Sequence, residues 1–179
     1  MADSKRLATM KALTAHLETE VSIANGYKHD LAGCVFRGIM RFGDETPPPR
    51  VAILEERDAD RFPKRVGNDD GISVGQQEDK WFLSIVGHVE DDKLHPTDNA
   101  YELMADVKKA LSKLNQDDHP EAGITRHPNY MLGGLICGIT MEPGTVRPTE
   151  EQDSSYGVFW LRAIVAFVEK LEDPYNWSN

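Results

Sequence analysis

Apolar residues recur every three or four positions in the first stretch of the chain, between Ser4 and Glu20. These apolar positions are Leu7, Met10, Leu13, Leu17 and Val21. Such spacing is typical of an amphipathic helix that turns one stripe of side chains toward a core. Asn25 and Gly26 follow, and both residue types tolerate the left-handed backbone that ends many helices. The pattern therefore predicts a helix that stops shortly before Asn25.

Three later stretches are rich in strand-forming residues, namely Cys34–Phe42, Arg50–Glu56 and Asp79–Glu90. The third alternates most regularly. One of its predicted faces carries Trp81, Leu83, Ile85, Gly87 and Val89, and the other carries Phe82, Ser84, Val86 and His88. Because successive side chains of a strand point to opposite faces, the pattern predicts a strand with two distinct faces here.

Pro47, Pro48 and Pro49 stand directly before the second of these strands. A proline lacks the N–H that a sheet requires and fixes its own φ angle, so this segment cannot be a central strand. We expect a stiff, extended link from Phe42 to Pro49. Such a link also keeps an unpaired sheet edge from recruiting another strand.

The chain from residue 95 onward carries the second helical pattern. Its apolar stripe consists of Leu103, Val107, Ala110, Leu111 and Leu114. Its start offers three helix-capping residues, Thr97, Asp98 and Asn99. Glu102 stands three residues after Asn99, which is the spacing of a capping box. The sequence therefore predicts a well-delimited helix.

Two further apolar runs follow. Tyr130–Met141 contains three glycines, and glycines within a strand favour a bulge or a close backbone approach. Tyr156–Tyr175 fits a helical stripe, but it also alternates and is rich in β-branched and aromatic residues, which favour sheets. The residues alone leave this last segment open between helix and strand.

The order of these elements is a helix, a run of three strands, a second helix and a run of two strands. It predicts an α+β fold, with a mixed, largely antiparallel sheet of about five strands and both helices packed on one face. A length of 179 residues fits one domain, so we expect residues 1–179 to form a single domain. Two polar stretches without periodicity, at about 57–78 and 142–155, are expected to form long loops or arms.

Charge and composition exclude some classes of function. Thirty acidic and twenty basic residues give a net charge of −10, whereas a protein that grips nucleic acid by its phosphates needs a basic surface. No apolar run approaches the roughly 20 residues of a membrane helix, and the first residues lack an export signal. We expect a soluble, intracellular protein in which Cys34 and Cys137 are buried free thiols.

The residues point to little catalytic chemistry. The sequence contains no phosphate-binding loop, zinc-finger spacing or nucleophile motif. The best candidate for a metal site is the stretch from residue 88 to residue 98, which contains His88, Glu90, Asp91, Asp92, His95 and Asp98. Such side chains are able to hold a divalent ion that activates water, so a small metal-dependent hydrolase is the alternative from an enzyme class. A solvated acidic turn before a helix is the simpler interpretation.

The succession of segments resembles the tail terminator proteins of long-tailed bacteriophages, the minor tail protein U type, also called tail completion proteins. The resemblance is carried by the first helix, "VFRGIMRFGDETPPPRVAILE", "WFLSIVGHVED", "HPTDNAYELMADVKKALSKL" and "VFWLRAIVAFVEKLEDPY". These segments cover almost the whole chain, and it is their order rather than one diagnostic motif that matters. The resemblance favours a strand for the last segment.

This resemblance implies a structural virion protein without catalytic residues, metal or cofactor. Such a protein assembles as a homohexameric ring at the head-proximal end of the tail tube, stops tube polymerisation and presents a surface to the head and neck. Its partners are further copies of itself, the tail tube protein and the head–neck connector proteins, with DNA passing through the bore as cargo. It is made in the host bacterial cytoplasm and resides in the virion tail. A head-closure or neck adaptor ring, and a host adaptor unrelated to virions, are further interpretations.

Two sets of residues are candidates for these contacts. A closed ring needs two different contact patches on each subunit, and an arm is able to reach a neighbour. The interface candidates in the first arm are Arg57, Arg61, Phe62, Lys64 and Arg65. Asp69 and Asp70 are candidates for the bore, where acidic side chains would repel the phosphates of passing DNA.

Overall fold

The structure, a computed structural model, describes residues 3–38, 46–56, 76–92, 94–147, 156–170, 172–173 and 175. Its α-helices are α1 Lys5–Glu20, α2 Asp98–Lys113 and the short α3 Met131–Gly134. Its strands are β1 Val35–Arg37, β2 Arg50–Glu55, β3 Gln76–Glu90, β4 Gly138–Met141, β5 Thr145–Arg147 and β6 Tyr156–Lys170. Short 3₁₀ turns lie at Ile23–Asn25 and Pro120–Ala122. Within these described ranges, no helix is long and apolar enough to cross a membrane.

These strands form one mixed sheet in the order β1–β2–β3–β6–β4, and β5 pairs with β6 on the edge that β4 also occupies. β1 and β2 run parallel, while the other neighbours run antiparallel. Parallel neighbours require a crossover of about a dozen residues, which the chain between β1 and β2 supplies. The predicted α+β fold with a mixed, largely antiparallel sheet is confirmed, and the described residues form six strands where about five were expected.

The β3–β6 pair is the longest feature of the sheet. The two strands pair without interruption from Gln76 opposite Lys170 to Glu90 opposite Tyr156. Strands of this length span about 50 Å. β2 pairs with β3 only from residue 83 onward, and β4 pairs with β6 only as far as residue 166. The segment that the residues alone left open between helix and strand is therefore a long inner strand of the sheet.

The helices pack against one face of the sheet, here called the inner face. β3 and β6 supply it with alternate residues, among them Trp81, Leu83, Ile85, Phe159, Leu161, Ala163, Val165 and Phe167. α1 and α2 cover these residues with the fully buried side chains of Leu13, Leu17, Leu103, Val107, Ala110 and Leu111. The inner face of β3 matches one of the two faces predicted from its alternation. The core of the domain lies between this face and the helices.

The predicted capping box at the start of α2 is wrong. Thr97 is the N-cap residue, and its side chain makes no capping hydrogen bond to the described part of the chain. Asn99 donates its side-chain N–H to the carbonyl oxygen of Glu90 at 2.9 Å, and Glu102 pairs with Lys28. Both side chains are therefore used to attach the helix start to β3 and to the loop after α1.

Other local predictions also need correction. Only the end of the run predicted as a strand, Tyr130–Met141, forms one, which is β4. Its first part contains α3, where the chain turns through left-handed backbone at Leu132 and Gly133, with φ angles of 51° and 69°. Cys137 lies in the connection between α3 and β4 and is exposed, so its predicted burial is wrong; Cys34 is half-buried. Leu7, placed in the apolar stripe of α1, is 43% exposed.

The proline link and the two predicted arms are described in part. The prolines lead directly into β2, and Pro48 and Pro49 line a surface groove beside Asn99 and Glu102. In the second predicted arm, residues 145–147 form β5 and belong to the sheet. The first predicted arm overlaps the start of β3. Residues 39–45, 57–75 and 148–155 lie outside the described residues.

Candidate interface on the outer face of the sheet

The sheet has a second face, opposite the helices, which we call the outer face. It is formed by the side chains that alternate with those of the inner face. In the three central strands these residues are Ala52, Leu54, Phe82, Ser84, Val86, His88, Val158, Trp160, Arg162 and Ile164. The strand register sets Val86 directly opposite Trp160, and Phe82 opposite Ile164. Apolar side chains from neighbouring strands therefore lie side by side.

The outer face is less closed than the inner face. Trp160 is 38% exposed, and Phe82, Leu54 and Ile164 are each partly exposed. Val86, directly beside the tryptophan, is 4% exposed. None of the described helices packs on this side, since α1 and α2 cover the inner face. The centre of the outer face is thus an apolar surface that is open at its largest residue.

Arginine side chains lie over the aromatic rings of this face. The Arg162 guanidinium is 4.6 Å from the centre of the Phe82 ring, and that of Arg147 is 6.0 Å from the Trp160 ring. Arg162 also pairs with two carboxylates, at 2.8 Å from Glu56 and 3.6 Å from Glu142. A cation over an exposed ring contributes about 0.5–1 kcal/mol. These contacts hold the arginines flat against the sheet instead of extended into water.

One end of the outer face is more closed. The Arg50 side chain is buried there, with its guanidinium 5.2 Å from the centre of the Tyr156 ring. His88 lies opposite Arg50 in the strand register. Burial, and then the positive charge of Arg50, lower the pKa of His88 to about 4. His88 is therefore neutral at pH 7.

The acidic stretch proposed as a metal site builds a turn. Asp92 accepts the backbone N–H groups of Leu94 and His95 at 2.7 and 3.2 Å, and these bonds lower the pKa of its carboxyl. His88 lies on the outer face, away from this turn. Among the residues that the structure describes, no three His, Cys, Asp or Glu side chains converge as metal ligands. The stretch is accounted for as the connection between β3 and α2.

The candidate contact residues of the first arm, Arg57 to Arg65, and the bore candidates Asp69 and Asp70 lie outside the described residues. They stay predictions. The outer face was missed by the sequence analysis, although β6 carried a signal for it. Trp160, Ile164 and Val168 are apolar on the face opposite the core, and a strand that is apolar on both faces is typical of one covered on both sides.

Comparison with other proteins adds no relative to this picture. The chain matches no protein-family model, and no curated protein is significantly similar to it.

Proposed function

We propose that this chain is a ring-forming structural protein of the bacteriophage tail terminator type, which closes the head-proximal end of a tail tube. The observation that carries the proposal is the outer face, an apolar and aromatic surface with arginines laid over its rings. Tryptophan, tyrosine and arginine dominate the energetics of protein–protein contacts. Burial of this face against another copy would remove Trp160 and its neighbours from water.

A ring requires two different patches on each subunit, because a patch that pairs with itself closes a dimer. Leu94, in the connection before α2, and Tyr101, in its first turn, are candidates for the second patch, with 83% and 54% of their surface exposed. Tyr101 belongs to a helix that packs on the inner face, so the two patches lie on different sides of the subunit. This arrangement favours a contact that continues from subunit to subunit.

The remaining parts of the proposal follow from the resemblance and from the charge. The ring would contact the tail tube protein on one side and head–neck connector proteins on the other, within the virion tail. DNA would pass through the bore without binding, which suits a chain with a net charge of −10. Asp69 and Asp70 are the predicted bore-lining residues. No catalytic step is part of the proposed function.

The first test is negative-stain imaging of the purified protein, alone at high concentration and mixed with tail tubes of its own phage. Rings seated on one end of the tubes are the expected result. Rings that do not bind to intact tubes would contradict the terminator role and favour a neck adaptor. The variant Trp160→Glu is expected to abolish rings, whereas Ile124→Glu, at a residue with nearly the same exposure of 39%, is expected to keep them.

A mixing experiment tests whether the contact joins two different patches. Trp160→Glu and Tyr101→Glu are each expected to be monomeric. Each variant keeps one intact patch, so an equimolar mixture is expected to form a heterodimer and nothing larger, as measured by analytical ultracentrifugation. A mixture that remains monomeric would mean that Trp160 and Tyr101 do not lie on opposite sides of the same contact.

A further inference from the structure

A cluster of buried polar side chains joins α1, α2 and the connection between α2 and α3, residues 114–130. We call it the histidine cluster, and its members are His16, Glu20, Tyr27, Lys113, His127 and Asn129. His16 and Glu20 lie on α1 and are 2% and 8% exposed. The two imidazole rings meet edge to face, with centroids 5.6 Å apart. The cluster is separate from the outer face, on the helix side of the sheet.

The hydrogen bonds of His16 fix its protonation. Its Nε2 lies 2.9 Å from the carbonyl oxygen of Ala110, which only accepts, so Nε2 carries the hydrogen. Its Nδ1 lies 3.1 Å from the side-chain nitrogen of Asn129, which only donates, so Nδ1 is the acceptor. His16 is therefore a neutral imidazole with both nitrogens occupied.

His127 is arranged in the same way. Its Nε2 donates to the Glu20 carboxylate at 3.1 Å, and its Nδ1 accepts the backbone N–H of Asn129 at 3.2 Å. A second proton on His16 must go to Nδ1, because Nε2 is already protonated. That position faces the side-chain N–H of Asn129, so protonation of His16 sets two donors against each other.

The charged groups around the two rings determine whether the protonated or the neutral imidazole is favoured. Glu20 accepts the Tyr27 hydroxyl at 2.9 Å and pairs with Lys113. Burial raises the pKa of Glu20, but the hydrogen bonds from Lys113 and Tyr27 outweigh it and hold that pKa below its usual value. Lys113 and His127 lie near His16 and disfavour a positive charge on its ring. α3 contributes no titratable side chain to the cluster.

For His16, the effects that lower its pKa outweigh those that raise it. Burial lowers its pKa most, and His127 and Lys113 lower it further, while the Ala110 bond and the Glu20 carboxylate oppose them in part. The open or unfolded chain keeps the ordinary pKa of about 6.5. As the pH falls below that value, the open form takes up a proton that the closed form refuses, so the closed form loses stability.

Two side-chain hydrogen bonds of this cluster join the connection to α1, namely His127 to Glu20 and Asn129 to His16. Residues 118–126 are exposed, and His127 and Asn129 are the side chains that turn toward His16 and Glu20. The sheet, in contrast, is held by the fifteen-residue β3–β6 pair. We propose that the histidine cluster is an acid-sensitive latch: protonation of His16 releases residues 116–130 from α1 while the sheet, to which Asn115 is bonded, stays folded. The inference does not depend on ring formation.

Hydrogen exchange of the full chain between pH 7.5 and 5.0 tests the latch. After correction for intrinsic exchange rates, protection of residues 116–130 is expected to fall by up to about tenfold per pH unit below pH 6.5, the slope set by one proton. Amides of β3 and β6 are expected to keep their protection. His16→Gln is expected to remove this pH dependence, whereas His119→Gln, at an exposed histidine of the same connection, is expected to retain it.

Constant protection of the connection in the wild type, or a full pH dependence in His16→Gln, would overturn the proposal. If His16→Gln does not fold, the wild type decides the question by NMR titration of its imidazole C–H signals. Titration of His16 at the pH where the connection opens supports the latch. Titration of His16 without any opening contradicts it.

Discussion

The inner and outer faces of the sheet are built by the same strands, but they are closed to different degrees. On the inner face, Phe159 and Leu161 are fully buried beneath the helices. Between them in sequence, on the outer face, Trp160 leaves 38% of its surface exposed. A strand that faces water on one side normally carries polar residues there. β6 therefore carries apolar side chains on both faces, but the described core buries only those of the inner face completely. The partly exposed apolar side chains of the outer face are the basis for proposing a contact surface.

The strongest contrast between the faces is expected from truncating adjacent aromatic residues. Phe159→Ala should lower the free energy of unfolding by about 3–5 kcal/mol, because it leaves an enclosed cavity. Trp160→Ala should cost about 1 kcal/mol in the monomer, since a partly exposed site leaves little cavity. Denaturant unfolding at low protein concentration measures both. Equal losses would mean that the outer face is closed as tightly as the inner face.

A smaller effect is expected from overpacking the inner face. A Cβ atom at Gly87 would lie 2.0 Å from Cε1 of the Phe159 ring, so Gly87→Ala must displace that ring. We expect a loss of about 1–3 kcal/mol in unfolding free energy. Gly138→Ala in β4 is the control, since a Cβ there meets no atom within 4 Å. A comparable loss in the control would refute the steric explanation.

Acid is expected to act on both sides of the sheet. His88 titrates near pH 4 in the folded chain and near 6.5 when unfolded, so its contribution to stability is complete above pH 6.5 and is lost as the pH falls toward 4. The slope is at most about 1.4 kcal/mol per pH unit for one such group. His88→Gln should flatten the stability–pH curve obtained by denaturant unfolding. An unchanged slope would mean that another group causes the acid sensitivity, and His16 is the next candidate.

The smallest effect is expected at the outer-face ion pairs. Arg162→Ala should cost less than about 1 kcal/mol, because the side chains of Arg162 and Glu56 are each about one-third exposed. A double-mutant cycle with Glu56→Gln isolates the pair from the stacking on Phe82. A coupling well above 1 kcal/mol would show that water is excluded from this part of the face.

The sequence predicted those parts of the fold that depend on periodicity. The alternation from Trp81 to Val89 correctly identified a strand with two distinct faces, and the stripe from Leu103 to Leu111 correctly identified α2. Periodicity alone did not settle β6, because its apolar residues occur on both faces and also match a helical stripe. Its assignment as a strand depended on the resemblance until the structure placed it beside β3.

The errors share a cause, which is that local patterns do not show distant partners. His16 and Glu20 lie between the apolar positions of α1, yet they are buried because Ala110 and His127 contact them from elsewhere in the chain. Asn99 and Glu102 had capping-box spacing, yet they bind Glu90 and Lys28 instead. The outer face could have been inferred from Trp160 and Ile164, had apolar residues on both faces been weighed.

The position of Gly87 opposite Phe159 has a consequence for how the sheet forms. In most half-exposed sheets a slip of one residue is prevented because it would turn apolar side chains toward water. β3 and β6 carry apolar residues on both faces, so hydrophobicity alone penalises such a misaligned pairing weakly. The bulky Phe159 ring fits over a residue without a side chain, and a shifted β3 would offer it Val86 or His88 instead. Gly87 therefore favours the native register of β3 and β6 over registers shifted by one residue.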